Sequence, residues 1–65
     1  MHRVLITDDK QRDRSIIKIL LERQYPGQFE FLEAGNGRDA VDILTAGGIE
    51  LLFLDINMPG LSGLD

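Results

Sequence analysis

The sequence predicts an α/β fold with a parallel sheet, its elements in the order β-α-β-α-β. Short apolar runs alternate with stretches of helical periodicity, and turns bearing glycine or proline separate them. The last run, Ile49 to Leu54, is almost continuously apolar, as a strand covered on both faces reads. Strands that alternate with helices in this way are joined by right-handed crossovers in a parallel sheet.

Each element has its own signal. Val4-Leu5-Ile6 is a run of apolar residues that ends at Thr7-Asp8-Asp9, as a buried parallel strand with a polar carboxyl end would. From Arg12 to Gln24, Ile16, Ile17, Leu20 and Leu21 form one helical stripe, with Arg14, Lys18, Glu22 and Arg23 mostly off it. Tyr25-Pro26-Gly27 ends that helix, because proline restricts the residue before it and cannot continue the hydrogen-bond ladder. Phe29 and Phe31, with Glu33 in the same register, alternate with Glu30 and Leu32 and predict a half-exposed second strand. Gly35-Asn36-Gly37 reads as a loop, and Arg38 to Ala46 as a short helix with Ala40, Val41 and Leu44 on one face. Gly47-Gly48 closes it before the third strand, which breaks at Asp55; Met58-Pro59-Gly60 then reads as a turn fixed by Pro59 and Gly60.

Composition narrows the function classes. A chain of 65 residues is one folding unit at most, and a domain of that size buries only roughly 60% of its unfolded surface. With no cysteine there is neither a disulfide framework nor a thiolate metal site to add stability. Apolar content of 43% beside 28% charged residues belongs to a chain that folds. A net charge of -4 with scattered Lys and Arg offers no basic face, which argues against direct binding to nucleic acid or anionic membrane. Met1-His2-Arg3 runs straight into the first strand with no export signal or membrane span, so a cytoplasmic setting is expected.

The chemistry concentrates at strand ends. In open parallel sheets the ligand crevice lies beyond the carboxyl ends of the strands, where successive connections leave to opposite faces. Asp8, Asp9 and Asp55 all stand at such ends. Three carboxylates brought together call for a balancing hard cation, and oxygen donors with water suit Mg2+; no His or Cys cluster argues for zinc. Asp55 could act as a nucleophile toward phosphorus and carry an aspartyl phosphate. Spacing alone is equally compatible with three polar strand ends that cap helices or turns. A phosphatase with an aspartate nucleophile fits less well, because no second general acid follows Asp55 at short spacing. Lys10 reads as a solvated lysine without a role, and His2 as an exposed end residue without a partner.

Three segments, Val4-Leu5-Ile6-Thr7-Asp8-Asp9, Glu33-Ala34-Gly35-Asn36-Gly37 and Leu51 through Asp55 to Gly63, come in the order found in bacterial two-component receiver domains. The resemblance covers the whole chain, and its most specific part is the Asp-x-x-Met-Pro-Gly-x-x-Gly segment after an apolar strand. It implies the first half of a flavodoxin-like (βα)5 fold with strand order 2-1-3-4-5, so that residues 1–65 form a truncated receiver domain of three strands and two helices. It also implies that Asp55 accepts phosphate from a sensor histidine kinase, making the chain a phosphoacceptor module rather than an enzyme. Asp9 and Asp55 would bind Mg2+ directly, Asp8 through a metal-bound water, and Asn57 through its backbone carbonyl.

A complete receiver adds two strand-helix pairs that carry a Ser or Thr and a Lys for the phosphoryl oxygens. Neither role has a candidate among the 65 residues, and Ser62 and Lys10 do not replace them, so phosphorylation is expected to be impaired. The third strand should then be an apolar edge, prone to self-association by strand pairing or element swapping into a homo-oligomer. Two classes therefore compete: a signalling module that relays the Asp55 state to an output domain, and an unphosphorylated self-associating fragment.

Overall fold

The structure, a computed structural model, describes residues 1–54. The expectations placed on Asp55, Asn57 and the Met58-Pro59-Gly60 turn lie outside the described residues. The elements run β1 (His2–Thr7), α1 (Gln11–Gln24), β2 (Phe29–Ala34), α2 (Gly37–Ala46) and β3 (Leu51–Leu54). They form a three-stranded sheet in the order β2-β1-β3, with both pairs parallel. This is the predicted α/β architecture and the first part of a flavodoxin-like sheet.

The first strand is longer than its apolar run suggests, because ladder pairing extends it: His2 registers with Phe29 and Thr7 with Ala34. Flanked on both sides, β1 carries the best-buried residues, with Val4, Leu5 and Ile6 at 0% exposure and Thr7 at 2%. Their side chains alternate between the two faces of the sheet. Leu5 joins Ala34 and Ala40 in the core, with Leu32, Ile43 and Ile49 packed around them. That places α2 on the face of Leu5, while α1, whose Arg14 and Lys18 reach Glu33, covers the opposite one. A right-handed crossover to β2 on one side of β1 and another to β3 on its other side require this division.

Both helices are rotated from the faces read in the sequence. Along α1, Arg14, Ile17, Lys18 and Leu21 turn toward the sheet and are partly buried, whereas Ile16, Ile19 and Leu20 are exposed. The apolar-stripe reading held for Ile17 and Leu21 only: its other two residues lie outside, and the inward face also contains two cations that both pair with Glu33. On α2 the buried face is Gly37 and Ala40, with Ile43 against the core; Val41 and Leu44 stand at its exposed rim. Leu32, which alternates with Phe29 and Phe31, packs under α2, so the strand expected to be half-exposed is partly covered on both sides.

Local chemistry sets the helix boundaries. Asn36 is the N-cap of α2 rather than a loop residue: its Oδ1 accepts from the Asp39 amide at 2.8 Å, and its Nδ2 donates to Asp39 Oδ2 at 3.2 Å. A side-chain oxygen there satisfies one of the donors every helix start leaves unpaired. At the other end, Gly47 and Gly48 have φ of 86° and 87°, a region costly for residues with a Cβ. A Cβ on Gly48 would also meet the Arg3 guanidinium at 2.8 Å. The α1–β2 turn is closed by Tyr25, whose ring meets Phe29 edge-on at 5.8 Å.

The third strand, expected over Ile49 to Leu54, is shorter. Ile49 and Glu50 precede it, Ile49 as a core contact and Glu50 with its amide N–H donating to the Arg3 carbonyl at 2.9 Å. Leu51, Leu52 and Leu54 are about two-fifths exposed, as befits an edge rather than a strand covered on both faces. Among the described residues no helix is long and apolar enough to cross a membrane.

Candidate functional site

Strand order places the switch point at β1 and β3: the crossover from β1 to β2 carries α1 over one face of the sheet, and the crossover from β2 to β3 carries α2 over the other. In sheets of this kind ligands bind beyond the carboxyl ends of the strands at such a point. Thr7 pairs with Leu54 in the β1–β3 register. The residues that follow these partners in sequence are Asp8 and Asp55. Parallel pairing in this register thus runs toward the two acidic positions that the sequence singles out. Among the described residues no group of three or more His, Cys, Asp or Glu converges as a metal site; Asp8 and Asp9 stand there as a pair.

The connection after β1 is tightly specified. The Asp8 amide donates to the Ala34 carbonyl at 3.1 Å, extending the ladder to β2. Asp8 Oδ1 accepts from the Lys10 amide at 2.9 Å, a local turn that satisfies a backbone donor just before α1. The Asp8 carbonyl in turn accepts from Arg14 Nη1 at 2.6 Å. Asp9 is exposed, and the Lys10 ammonium lies 3.7 Å from its Oδ1 with 62% of the lysine side chain in solvent. A contact that long and that exposed contributes little, in keeping with a lysine that has no assigned role. Beneath the pair, the Thr7 hydroxyl is buried with no hydrogen-bond partner among the described residues.

Beside the acidic pair lies a charged cluster that the sequence reading missed. Arg14 Nε donates to Glu33 Oε1 at 3.0 Å, and Lys18 Nζ donates to Glu33 Oε2 at 3.1 Å. The Lys18 hydrogen bond is the main reason the Glu33 carboxyl is held below its ordinary range; burial opposes the shift, and the Arg14 bond adds to it. Arg14 and Lys18 stand one helical turn apart and so share a face of α1, but which acidic residue of β2 meets them, Glu30 or Glu33, is decided by the packing of helix on strand and is not written in that spacing.

At the opposite end of the sheet, His2 does have a partner: its Nδ1 is 2.7 Å from Glu50 Oε2. His2 is exposed as expected, but long-range strand pairing, invisible in local sequence, supplies the contact. That hydrogen bond is the main reason the Glu50 pKa is lowered, with burial acting in the opposite direction. The pair stands at the amino end of β1, away from the crevice, and belongs to no site.

The sequence matches the response regulator receiver domain family over residues 4–65. It is 42% identical over 62 residues to the nitrate/nitrite response regulator protein NarP of Escherichia coli (strain K12), an alignment that spans 95% of this chain and 28% of that protein. The transcriptional regulatory protein SrrA of Staphylococcus aureus (strain NCTC 8325 / PS 47) is 34% identical over 61 residues, 94% of this chain and 24% of SrrA. The autoinducer 1 sensor kinase/phosphatase LuxN of Vibrio harveyi is 34% identical over 62 residues, 95% of this chain and 7% of LuxN. The chain therefore spans less than a third of each of these relatives. No solved structure matches it. A family match over nearly the entire sequence, on a parallel 2-1-3 sheet with an acidic pair at the carboxyl end of its central strand, makes this chain a member of the response regulator receiver domain family, the regulatory module of two-component signalling.

Proposed function

We propose that this chain is a phosphoacceptor module in which Asp55 takes a phosphoryl group from a sensor histidine kinase, and that its parent passes that state to an output domain or partner in the cytoplasm. The register carries the reading: Thr7 and Leu54 are partners, and the proposed acidic residues follow directly on each strand. Transfer would break the P–N bond of a phosphohistidine and form a P–O bond to the Asp55 carboxylate, with the electron pair left on the imidazole. Residues 1–65 would be the strand-one to strand-three portion of the receiver, and modification of these residues alone would be slow without the Ser or Thr and the Lys.

The donor chemistry suits Mg2+. Asp8 and Asp9 provide hard carboxylate oxygens at a solvent-accessible strand end, the type of ligand that this ion combines with retained water. Asp9 and Asp55 would hold the ion directly, Asp8 through water, and Asn57 through its carbonyl. When bound, the ion would offset negative charge on the transferred oxygens. The protein's own contribution is to hold the Asp8 peptide at both its N–H and its C=O.

The test is incubation with acetyl phosphate and Mg2+, read by intact mass, beside an Asp55→Asn control. A gain of one phosphoryl group in the parent and none in the control is expected; an equal gain in both removes Asp55 from the role.

A second reading has its own observation, the half-exposed Leu51, Leu52 and Leu54 of β3. Self-association through this strand would cover them. Light scattering at micromolar concentration is expected to show a mass above the monomer, and a monomer at every concentration would refute this second reading.

A further inference from the structure

The Arg14 side chain is only 16% exposed, although it carries a full charge and starts from the first turns of a helix. Its guanidinium reaches three structural pieces. Nη1 donates to the Asp8 carbonyl at 2.6 Å on the β1–α1 connection, and Nε donates to Glu33 at 3.0 Å near the end of β2. Nη1 also lies 3.5 Å from the point a Cβ on Gly35 would occupy, so the guanidinium is in van der Waals range of the β2–α2 connection. Glu33 is gripped on its other oxygen by Lys18, which fixes the acceptor to which Arg14 is bound.

The Asp8 carbonyl belongs to the peptide unit shared with Asp9. Because that unit is planar, fixing its oxygen fixes the direction in which the chain enters Asp9. The Asp8 amide is fixed by Ala34, so the backbone carrying the acidic pair is held on both sides. Asp8 Oδ1 is also engaged, by the Lys10 amide, and this turn depends on the same peptide orientation.

We propose that Arg14 is a positioning residue for the acidic pair: held by Glu33, it sets the orientation of the Asp8-Asp9 peptide and through it the affinity of the pair for a divalent cation. This rests on the reading that the pair binds Mg2+. The role is opposite in sign to the one charge alone would give. A guanidinium close to a cation site repels the cation, so its removal would tighten binding if electrostatics governed; removal of a positioning contact weakens it. Partners that orient metal ligands from outside the coordination shell typically carry about 10- to 100-fold in affinity.

The experiment uses the full chain and its Arg14→Met, Arg14→Lys and Asp9→Asn variants. Mg2+ is titrated into each and followed by NMR, and amide hydrogen exchange is measured on the metal-free proteins. Arg14→Met is expected to weaken Mg2+ binding about tenfold or more and to speed exchange of the Lys10 amide relative to those of Leu5 and Ile6. Arg14→Lys is expected to recover part of both effects, since an ammonium keeps the charge but lacks the fork that spans two acceptors. Parent-like or tighter Mg2+ binding in Arg14→Met, or unchanged Lys10 exchange, overturns the proposal. Should Arg14→Met lose protection at Leu5 and Ile6 as well, Arg14→Lys decides by the same two readouts. If neither the parent nor Asp9→Asn binds Mg2+, the metal reading fails, and with it the affinity half of the proposal; the Lys10 exchange then separately reports whether Arg14 orders the connection.

Discussion

Replacing Leu5 with alanine should remove a large share of the stability of this domain. Leu5 has 0% exposure, lies on the central strand, and packs with Ala34 and Ala40 beneath α2. The substitution deletes three methylene-sized groups, and at about 0.8 kcal/mol for each the transfer loss is roughly 2.4 kcal/mol. Flanking strands on both sides limit how far the backbone can close the void, so a cavity contribution brings the total to about 3 to 4 kcal/mol. At roughly 0.05–0.15 kcal/mol per residue, a chain of 65 residues has about 3 to 10 kcal/mol in all. Val41→Ala is the matched control: its side chain sits at the 46% exposed rim of α2 and should cost below about 1 kcal/mol. Urea unfolding followed by far-ultraviolet circular dichroism checks both. A loss under about 1 kcal/mol for Leu5→Ala, or equal losses for the two variants, would refute the assignment of the core to the Leu5 face.

Other expectations follow from the caps and the charged cluster. Asn36→Ala should lower stability by about 1 kcal/mol, with Asn36→Ser closer to the parent because a hydroxyl offers the capping acceptor without setting a second carboxylate against Asp39; denaturation midpoints compare the three. Glu33 has a carboxyl pKa below its ordinary 4.5, so its contribution to stability is fully present above that pH and is lost as pH falls through the lower, folded value. Glu33→Gln should therefore be less stable than the parent at pH 7, and the gap should close as acid is added; thermal midpoints between pH 7 and pH 3 measure it, and a gap that widens in acid would reverse the sign.

How much of this was legible in the sequence depended on whether local pattern or long-range geometry decides. The strands and their order were legible, since Val4-Leu5-Ile6 and the apolar run before Asp55 bear the marks of a parallel sheet, and the receiver motifs fixed which strands are neighbours. The inner faces of the helices were legible only in part, at Ile17, Leu21 and Ala40. On α1, counting apolar residues selected Ile16 and Leu20, yet Arg14 and Lys18 turn inward because a carboxylate on β2 waits for them. That partner stands 19 and 15 residues away in sequence. No periodicity in a single helix can reveal such an ion pair. Similarly, Asn36 read as a turn residue because the same chemistry that favours turns also favours helix starts. At the candidate site the acidic pair was evident from sequence, whereas the Arg14 bond that holds its backbone required coordinates.

The order β2-β1-β3 also has a temporal side. The strand between the other two is made before both of them, and its partner at Leu51 is made 47 residues after Val4. With synthesis at about 5–20 residues per second, roughly 2 to 9 seconds separate the two. Until β2 is made both flanks of the chain's best-buried segment are bare, and from then until β3 follows one flank remains so. A cell that makes this domain must tolerate or shield that segment until its second neighbour arrives.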